Sequence, residues 1–151
     1  MKQRLLLDTN VLLDYLLMRK EYAKARKVIL FGALKEFRLY ASTAQANDIL
    51  YFLGGKDKHG LSDSARRSLL NLCKIVEFVP LGKNEFITAI ESGWEDTEDA
   101  CVLQVAKAVN AHAIITRNVG DFAKSSIPAY TPTDFFEKLK EEGYDYDEVE
   151  F

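Results

Sequence analysis

Four short apolar runs, each followed by a helix-length segment, constrain the fold of this chain more than any other feature. The runs cover residues 4–8, 37–41, 75–79 and 113–116, and most of their positions are apolar. A strand that is apolar on both faces is typical of a parallel sheet covered by helices on both sides. The alternation therefore predicts an α/β fold, a three-layer α/β/α sandwich with a central parallel sheet of four to five strands.

Helical patterns fill the segments between the runs. Ser42 and Gln45 have the Ser-x-x-Gln spacing of a capping box, which predicts that a helix begins there. Helices are expected over about residues 10–18, 21–34, 46–52, 62–73, 83–92, 97–110 and 132–140. No repeat or Pro/Gly-rich linker divides the 151 residues, so we expect one domain over 1–140, followed by an acidic C-terminal tail over 141–151.

Cysteine content and the N-terminal residues exclude several classes of protein. The two cysteines, Cys73 and Cys101, lie in apolar segments and are predicted to be buried thiols, which argues against a disulfide scaffold or a structural zinc site. Asp8 interrupts the first apolar run too early for a signal peptide or a membrane span. The expected location is the cytoplasm, with no membrane partner.

Acidic residues follow two of the predicted strands and begin or occupy two of the predicted helices. Asp8 ends the first run, and Asp121 lies shortly after the last one. Asp96 and Asp99 are three residues apart at the start of one helix, and Asp48 lies one turn inside another. Because ligands bind outside the carboxyl ends of parallel strands, we expect these acids to share one edge of the sheet.

Such a cluster has an energetic consequence. Two carboxylates about 4 Å apart repel by roughly 4 kcal/mol at an effective dielectric near 20. A divalent cation would relieve the repulsion, and oxygen ligands favour Mg²⁺ or Mn²⁺. His59 and His112 lack ligand spacing and are interpreted as structural or solvent-facing. Since a carboxylate-held cation activates water beside phosphate oxygens, the cluster predicts phosphodiester hydrolysis.

The ordered motifs resemble those of the PIN-domain nucleases, and more closely the VapC-like toxins of type II toxin–antitoxin pairs. Residues 6–14, 96–100, 115–122 and 128–136 carry the resemblance, which spans about residues 4–136. It implies a metal-dependent endoribonuclease that uses Mg²⁺ or Mn²⁺.

The resemblance also implies a role for individual residues. Asp8 would be the first metal ligand, Asp99 the third acid and Asp121 the fourth. Asp96 would assist as an extra acid, and hydrogen bonds from three further residues would support the site: Asn10, Thr116 and Asn118.

Asp48 departs from the family pattern. The second acid of the family is usually Glu, and Asp48 occupies the matching position in this chain. Losing one methylene shortens the reach by roughly 1.5 Å, and misplacements of about that size can cost about 10²-fold in rate. Asp48 is expected to be a metal ligand. Because its side chain is shorter than that of Glu, we expect either weaker metal binding or an inward shift of its helix.

The resemblance implies an RNA substrate, a small antitoxin and a homodimer as partners. The antitoxin would place an apolar segment on the helices at 10–34 and a basic side chain in the carboxylate pocket. Cations near the acidic edge would hold the RNA phosphates, the candidates being Arg19, Lys20, Lys24, Arg117 and Lys124.

Two other functions stay open at this point. The Asp48 substitution is compatible with a catalytically weak or inactive PIN-like module that binds RNA or protein without cutting. A phosphoacceptor fold of the receiver type would need an acid after the third strand, where this chain has residues 79–81, Val-Pro-Leu.

The acidic tail also has two interpretations. Residues 141–151 hold six acids and no Lys or Arg, which leaves residues 1–140 with 20 basic and 17 acidic residues and a net charge of +3. The tail is either a solvated terminus or a segment that docks through its aromatic residues on a basic patch of the same or a second subunit and excludes RNA.

Overall fold

A five-stranded parallel sheet forms the centre of the molecule. The computed structural model describes residues 2–54 and 60–147, so His59 lies outside the described residues. The sheet has the order β3-β2-β1-β4-β5, with every neighbouring pair parallel. The strands are β1 (Gln3–Leu7), β2 (Phe37–Ser42), β3 (Val76–Val79), β4 (Ala113–Ile115) and β5 (Ala129–Tyr130).

Six α-helices connect these strands within the described residues, and a seventh follows β5. They are α1 (Thr9–Leu16), α2 (Tyr22–Ala33), α3 (Ala46–Gly54), α4 (Asp63–Ile75), α5 (Lys83–Glu91), α6 (Thr97–Ala108) and α7 (Pro132–Glu141). Two short 3₁₀ helices, Thr43–Gln45 and Val119–Phe122, follow β2 and β4. No helix within 2–54 or 60–147 combines the length and apolar character that crossing a bilayer requires.

Alternate residues of the strands enter two separate hydrophobic cores. Leu5 and Leu7 of β1 face the core that α1, α2, α4 and α7 cover, whereas Leu6 faces the core formed with α6. In β2, Leu39 joins the first core and Tyr40 the second. Both faces of the sheet are therefore covered, which confirms the predicted three-layer α/β/α sandwich.

The strand order also decides between two of the candidate folds. The third strand of the chain, β3, lies at an edge of this sheet. In the receiver-type fold the order is 2-1-3-4-5, and the third strand lies in the middle. The sheet therefore excludes the phosphoacceptor alternative on topology, in addition to the missing acid.

The predicted capping box is present and does more than begin a helix. The Ser42 hydroxyl accepts a hydrogen bond from the backbone N–H of Ala44 at 3.0 Å, and the Gln45 side-chain carbonyl accepts one from the Ser42 N–H at 2.6 Å. Both side chains are buried. The connection from β2 to α3 is consequently fixed at the carboxyl edge of the sheet.

One prediction about the cysteines is wrong. Cys73 is exposed and Cys101 is half-buried. Cys73 lies on α4 beside Leu72, whose side chain is almost completely buried. A helix buries only one stripe of its surface, so an apolar neighbour in sequence does not place a residue in the core.

The first part of the acidic tail packs on the body of the domain. The ring of Tyr146 lies 4.7 Å from that of Phe31, 5.6 Å from Phe37 and 5.8 Å from Phe136, measured between centroids. Asp147 accepts hydrogen bonds from the ammonium groups of Lys27 and Lys140 at 2.8 and 3.1 Å. These contacts tie the segment to α2 and α7. Residues 148–151, including Val149 and Phe151, lie outside the described residues.

Candidate active site

Asp8 is held in place by three hydrogen bonds to its carboxylate. The backbone N–H of Thr9 donates to Oδ1 at 2.9 Å, and the Thr116 hydroxyl donates to Oδ2 at 2.8 Å. The Asn10 amide also donates to Oδ2, at 3.3 Å. The side chain is 8% exposed, and its backbone N–H pairs with Ile115 of the adjacent strand β4. Two neighbouring strand ends therefore set the position of this carboxylate.

Asn10 and Thr116 are themselves fixed by the backbone that follows β4. The backbone N–H of Arg117 donates to the Asn10 side-chain oxygen at 3.0 Å. The N–H of Asn118 donates to the Thr116 hydroxyl oxygen at 3.1 Å. Asn118 thus acts on Asp8 indirectly, through Thr116.

Asp96 and Asp99 begin helix α6 together. Asp96 is the N-cap residue, and its Oδ1 accepts a hydrogen bond from the Asp99 N–H at 3.1 Å. This is the capping role that acids commonly fill at helix starts. Asp96 is exposed, whereas Asp99 is half-buried.

A cavity of about 490 Å³ brings the predicted acids together at the carboxyl edge of the sheet. Asp121, from the 3₁₀ helix after β4, and Asp48, from α3, are both exposed on its walls. The predicted residues that line it are Asp8, Asn10, Asp48, Asp96, Asp99, Asn118 and Asp121. Thr116 is completely buried behind Asp8.

Burial and neighbouring charges raise the pKa values of two acids in this cavity, Asp99 and Asp8. Burial, followed by the charges of Asp96, Asp8 and Asp121, raises the pKa of Asp99 to about 7. Burial is also the main cause that raises the pKa of Asp8, and the hydrogen bond from Thr116 opposes it. A carboxyl group whose pKa lies near neutrality, in a cavity shared with other acids, is typical of a functional site.

The raised pKa of Asp99 predicts how the stability of the metal-free protein depends on pH. Folded Asp99 binds its proton up to about pH 7, whereas the unfolded chain releases it near its ordinary value of 3.8. Its contribution to folding is therefore full below pH 3.8 and is lost as the pH rises through 7. We expect the melting temperature, measured by calorimetry in chelator, to fall from pH 5 to 8 less steeply in Asp99→Asn than in wild type.

A variant outside the cavity provides the control for that measurement. Asp134→Asn removes an exposed carboxylate from the first turn of α7. Its melting temperature should follow the wild-type slope with pH. An Asp99→Asn protein whose slope equals that of wild type would contradict the assignment of the shifted group.

The donor chemistry of the cavity suits a hard divalent cation. Its candidate ligands are carboxylate oxygens, the donor type that Mg²⁺ and Mn²⁺ prefer. Burial and, after it, the charges of the other acids raise the pKa of Asp99. Among residues 2–54 and 60–147, however, no group of three or more Asp, Glu, His or Cys side chains is arranged to hold a metal ion. The residues present fit such an ion in chemistry, and binding one would require the carboxylates to draw together.

The five predicted RNA-binding cations occupy different positions around the site. Arg19 and Arg117 line the cavity. Arg117 also forms an ion pair at 2.9 Å with Asp14, whose side chain is 2% exposed. Lys24 pairs with Glu21 at 3.0 Å. Lys20, Lys24 and Lys124 are exposed and do not appear among the residues that line the cavity.

Gln45 is the positioning residue whose contacts with the site the sequence did not reveal. Its amide group donates to the carbonyl oxygen of Leu7 at 3.0 Å and to the Thr9 hydroxyl oxygen at 3.1 Å. These two residues flank Asp8 in the chain. The capping box predicted the local role of Gln45, but its reach to β1 and α1 depends on a contact 38 residues away.

Glu98 is a further acid that belongs to the cavity. It lines the same walls, and its charge contributes to raising the pKa of Asp99. The sequence could have indicated Glu98 as a residue of the cavity, because it lies beside Asp99 in the first turn of α6.

The fold and the site define the class of the protein as a parallel α/β sandwich domain with several acids around a cavity at the carboxyl ends of its strands. The chain belongs to the PIN domain family, whose model matches residues 4–120. This confirms the family inferred from the motifs. No curated protein matches the chain in sequence.

Solved structures share the fold at low sequence identity. A chain of a toxin–antitoxin complex from Klebsiella pneumoniae is 23% identical, with a TM-score of 0.59, over 84% of this chain and 96% of that one. A chain of VapBC2 from Rickettsia felis, solved with a promoter DNA fragment, is 16% identical, with a TM-score of 0.62, over 85% of this chain and 98% of that one. VapC20 of Mycobacterium tuberculosis, a sarcin-ricin loop cleaving toxin, is 14% identical, with a TM-score of 0.61, over 82% of this chain and 95% of that one. The three-layer arrangement is therefore that of the VapC-like PIN domains.

Proposed function

We propose that this protein is an endoribonuclease that depends on Mg²⁺ or Mn²⁺ and hydrolyses RNA phosphodiester bonds. The observation that carries the proposal is the meeting of Asp8, Asp99 and Asp121 in one cavity, although they are more than a hundred residues apart at the extremes. The raised pKa of Asp99 supports it, because acids that repel one another are retained where a cation neutralises them.

In this proposal the residues of the cavity divide the work. Asp8, Asp99 and Asp121 would hold the cation, and Asp48, which lines the same cavity from α3, would be a further ligand. When bound, a divalent cation supplies a Lewis acid for a phosphate oxygen and a water molecule of lowered pKa. Thr116 and Asn10 orient Asp8 through their hydrogen bonds, and the bond from Thr116 opposes the rise in the pKa of Asp8 that burial causes. Burial and the neighbouring acids raise the pKa of Asp99 to about 7 in the metal-free protein, so a cation held there would compete with the Asp99 proton near neutral pH.

The rim of the cavity is suited to the RNA backbone. Arg19 and Arg117 are the cations that line the cavity among the described residues. Arg117 is anchored by its ion pair with Asp14 and still has 42% of its side chain exposed. Lys20, Lys24 and Lys124 would contribute to phosphate binding at longer range.

The protein partner in this proposal is a small antitoxin. Structures that share the fold include a toxin–antitoxin complex. At the end of α1, Leu17 and Met18 are 36% and 71% exposed, which offers an apolar surface beside the cavity for the antitoxin segment. A homodimer through the exposed apolar residues of α5 and a cytoplasmic location belong to the same proposal.

One observation favours a second candidate, a PIN-like module that binds RNA or protein without cutting. Asp48 is exposed and is shorter than the usual Glu, and no group of three acids within the described residues is arranged for an ion. The two candidates differ in whether bound RNA is hydrolysed.

A cleavage assay separates them. Purified protein is incubated with labelled single-stranded RNA in Mg²⁺, in Mn²⁺ and in chelator, and the products are resolved on a gel. We expect products with either cation and none in chelator. RNA that is bound but stays intact in both cations would support the non-cleaving module and overturn the proposed function.

A further inference from the structure

An exposed aromatic ring lies on the wall of the acidic cavity. Phe52 is 45% exposed and lines the cavity together with Asp48, which precedes it by four residues on α3. Residues four apart on a helix lie on the same side, so one face of α3 presents both side chains to the site. The preceding aromatic residue, Tyr51, is 64% exposed but does not line the cavity.

The guanidinium group of Arg19 lies over one face of the Phe52 ring. The Arg19 guanidinium carbon lies 5.1 Å from the centroid of Phe52, within the range of a cation–π contact. The pairing brings a residue from the turn after α1 and a residue from the last turn of α3 to one place on the rim. Arg19 also lines the cavity.

The backbone holds Arg19 in this position. Met18 has a positive φ of 50°, which ends α1 in a left-handed turn. The Arg19 N–H then donates to the carbonyl oxygen of Asp14 at 3.1 Å. Within residues 2–54 and 60–147, Arg19 forms none of the ion pairs found. Its charge opposes the rise in the pKa of Asp14 that burial causes, and its side chain also lines the cavity.

We propose that Phe52 and Arg19 form a nucleotide subsite for single-stranded RNA, in which Phe52 stacks on a base and Arg19 contacts the adjoining phosphate. The inference rests on the proposed function and adds the class of substrate to it. Bases of unpaired RNA stack on aromatic rings and guanidinium planes, whereas bases inside a duplex are not accessible. The subsite therefore selects unpaired RNA at the position next to the acids, with little preference for one base.

The main competing use of this surface is a protein interface, because Leu50 and Tyr51 are also exposed on α3. Two features favour RNA. Phe52 lines the acidic cavity where Tyr51 does not, and it carries a cation that suits a phosphate. A protein interface would use both rings.

The subsite is tested by RNA binding in the Asp99→Asn background, so that cleavage does not interfere. Fluorescence anisotropy with a short labelled RNA of mixed sequence should give a dissociation constant about tenfold higher for Phe52→Ala, since stacking on one aromatic ring contributes about 1–3 kcal/mol. Phe52→Trp should bind as tightly as the parent, and so should the matched control Tyr51→Ala. Arg19→Gln should weaken binding and lower the salt slope by about one.

Modified RNA makes the test specific to a base. A series of RNAs carrying a single abasic nucleotide at successive positions should contain one that binds as weakly to the parent as intact RNA does to Phe52→Ala. On that RNA, Phe52→Ala should cause no further loss. Equal affinity of the parent and Phe52→Ala for intact RNA would overturn the subsite.

Other outcomes separate the inference from the function on which it rests. If Phe52→Ala and Tyr51→Ala both change the molecular mass in light scattering and neither changes RNA affinity, α3 is a protein interface and the subsite is wrong. If wild type cleaves RNA and Phe52→Ala binds it normally, the subsite fails while the nuclease stands. If RNA binding depends on Phe52 but no cation supports cleavage, the nuclease fails while the subsite stands.

Discussion

Replacing Asp8 or Asp99 with Asn should reduce Mn²⁺-dependent RNA cleavage by about 10²-fold or more. Substitution of residues that merely orient metal ligands costs about 10–100-fold, and direct ligands are expected to cost at least as much. Asn keeps the shape of each side chain but removes the charge. The measurement is the single-turnover cleavage rate of a labelled RNA at saturating enzyme.

Thermal melting tests the same residues independently of activity. A cation that binds only the folded state stabilises it by about 2.7 kcal/mol at a concentration of about one hundred times its Kd. Wild type should gain this stability from Mn²⁺, and Asp99→Asn should lose most of the gain. In chelator near pH 8, Asp99→Asn should be at least as stable as wild type, because it no longer carries a charge that burial and the acids around it disfavour.

Two expected results for Asp99→Asn make the test decisive together: RNA cleavage falls, whereas the stability of the protein in chelator does not. A destabilised variant could lose activity through unfolding, but Asp99→Asn is expected to lose activity without losing stability. Asp134→Asn, outside the cavity, should cleave RNA and respond to Mn²⁺ as wild type does. If Asp8→Asn and Asp99→Asn both cleave RNA at the wild-type rate, the cavity is not the catalytic site.

Replacing Tyr146 with Ala should destabilise the protein by about 2 kcal/mol and leave cleavage unchanged. Removing a fully buried aromatic ring costs about 3–5 kcal/mol, and Tyr146 is half-buried against Phe31, Phe37 and Phe136. The melting temperature should fall by about 4–8 °C for a chain of this length. Calorimetry measures the change, and Tyr144→Ala, at a 60% exposed position, should change it little.

The position of Tyr146 explains why activity should be retained. Phe37 begins β2 and pairs in register with Gln3, whereas Asp8 follows the other end of β1. Five residues of strand separate the two levels, a distance of about 15 Å. Residues 144–147 therefore pack near the amino edge of the sheet, away from the cavity. Truncation after Gly143 should weaken folding without raising RNA affinity, and a rise in affinity would mean that the tail does exclude RNA.

Local sequence patterns predicted most of the fold. Runs that are apolar on both faces require cover on both sides, so residues 4–8 and 113–116 indicated central parallel strands. The Ser42 and Gln45 capping box depends on contacts within four residues and was present as predicted. Cys73 shows the limit of such patterns, because its exposure depends on which stripe of α4 meets the sheet.

The candidate site was less completely predictable. The rule that ligands gather at the carboxyl ends of parallel strands was sufficient to select Asp8 and Asp121. It did not reveal that Asp14 and Arg117, 103 residues apart, would form an ion pair beside them. Nor did it indicate that Phe52 would face the acids, since that depends on the rotation of α3 against α1.

The amino-acid sequence by itself determined the class of fold, the family and the acids at the strand ends, since these follow from patterns within single elements. Only the tertiary structure decided the raised pKa of Asp99, the second role of Gln45 and the packing of Tyr146. Each of these depends on the approach of groups that are distant in the chain. Their separations are set by how helices and strands pack, and both electrostatic repulsion and hydrogen bonding change steeply with those separations.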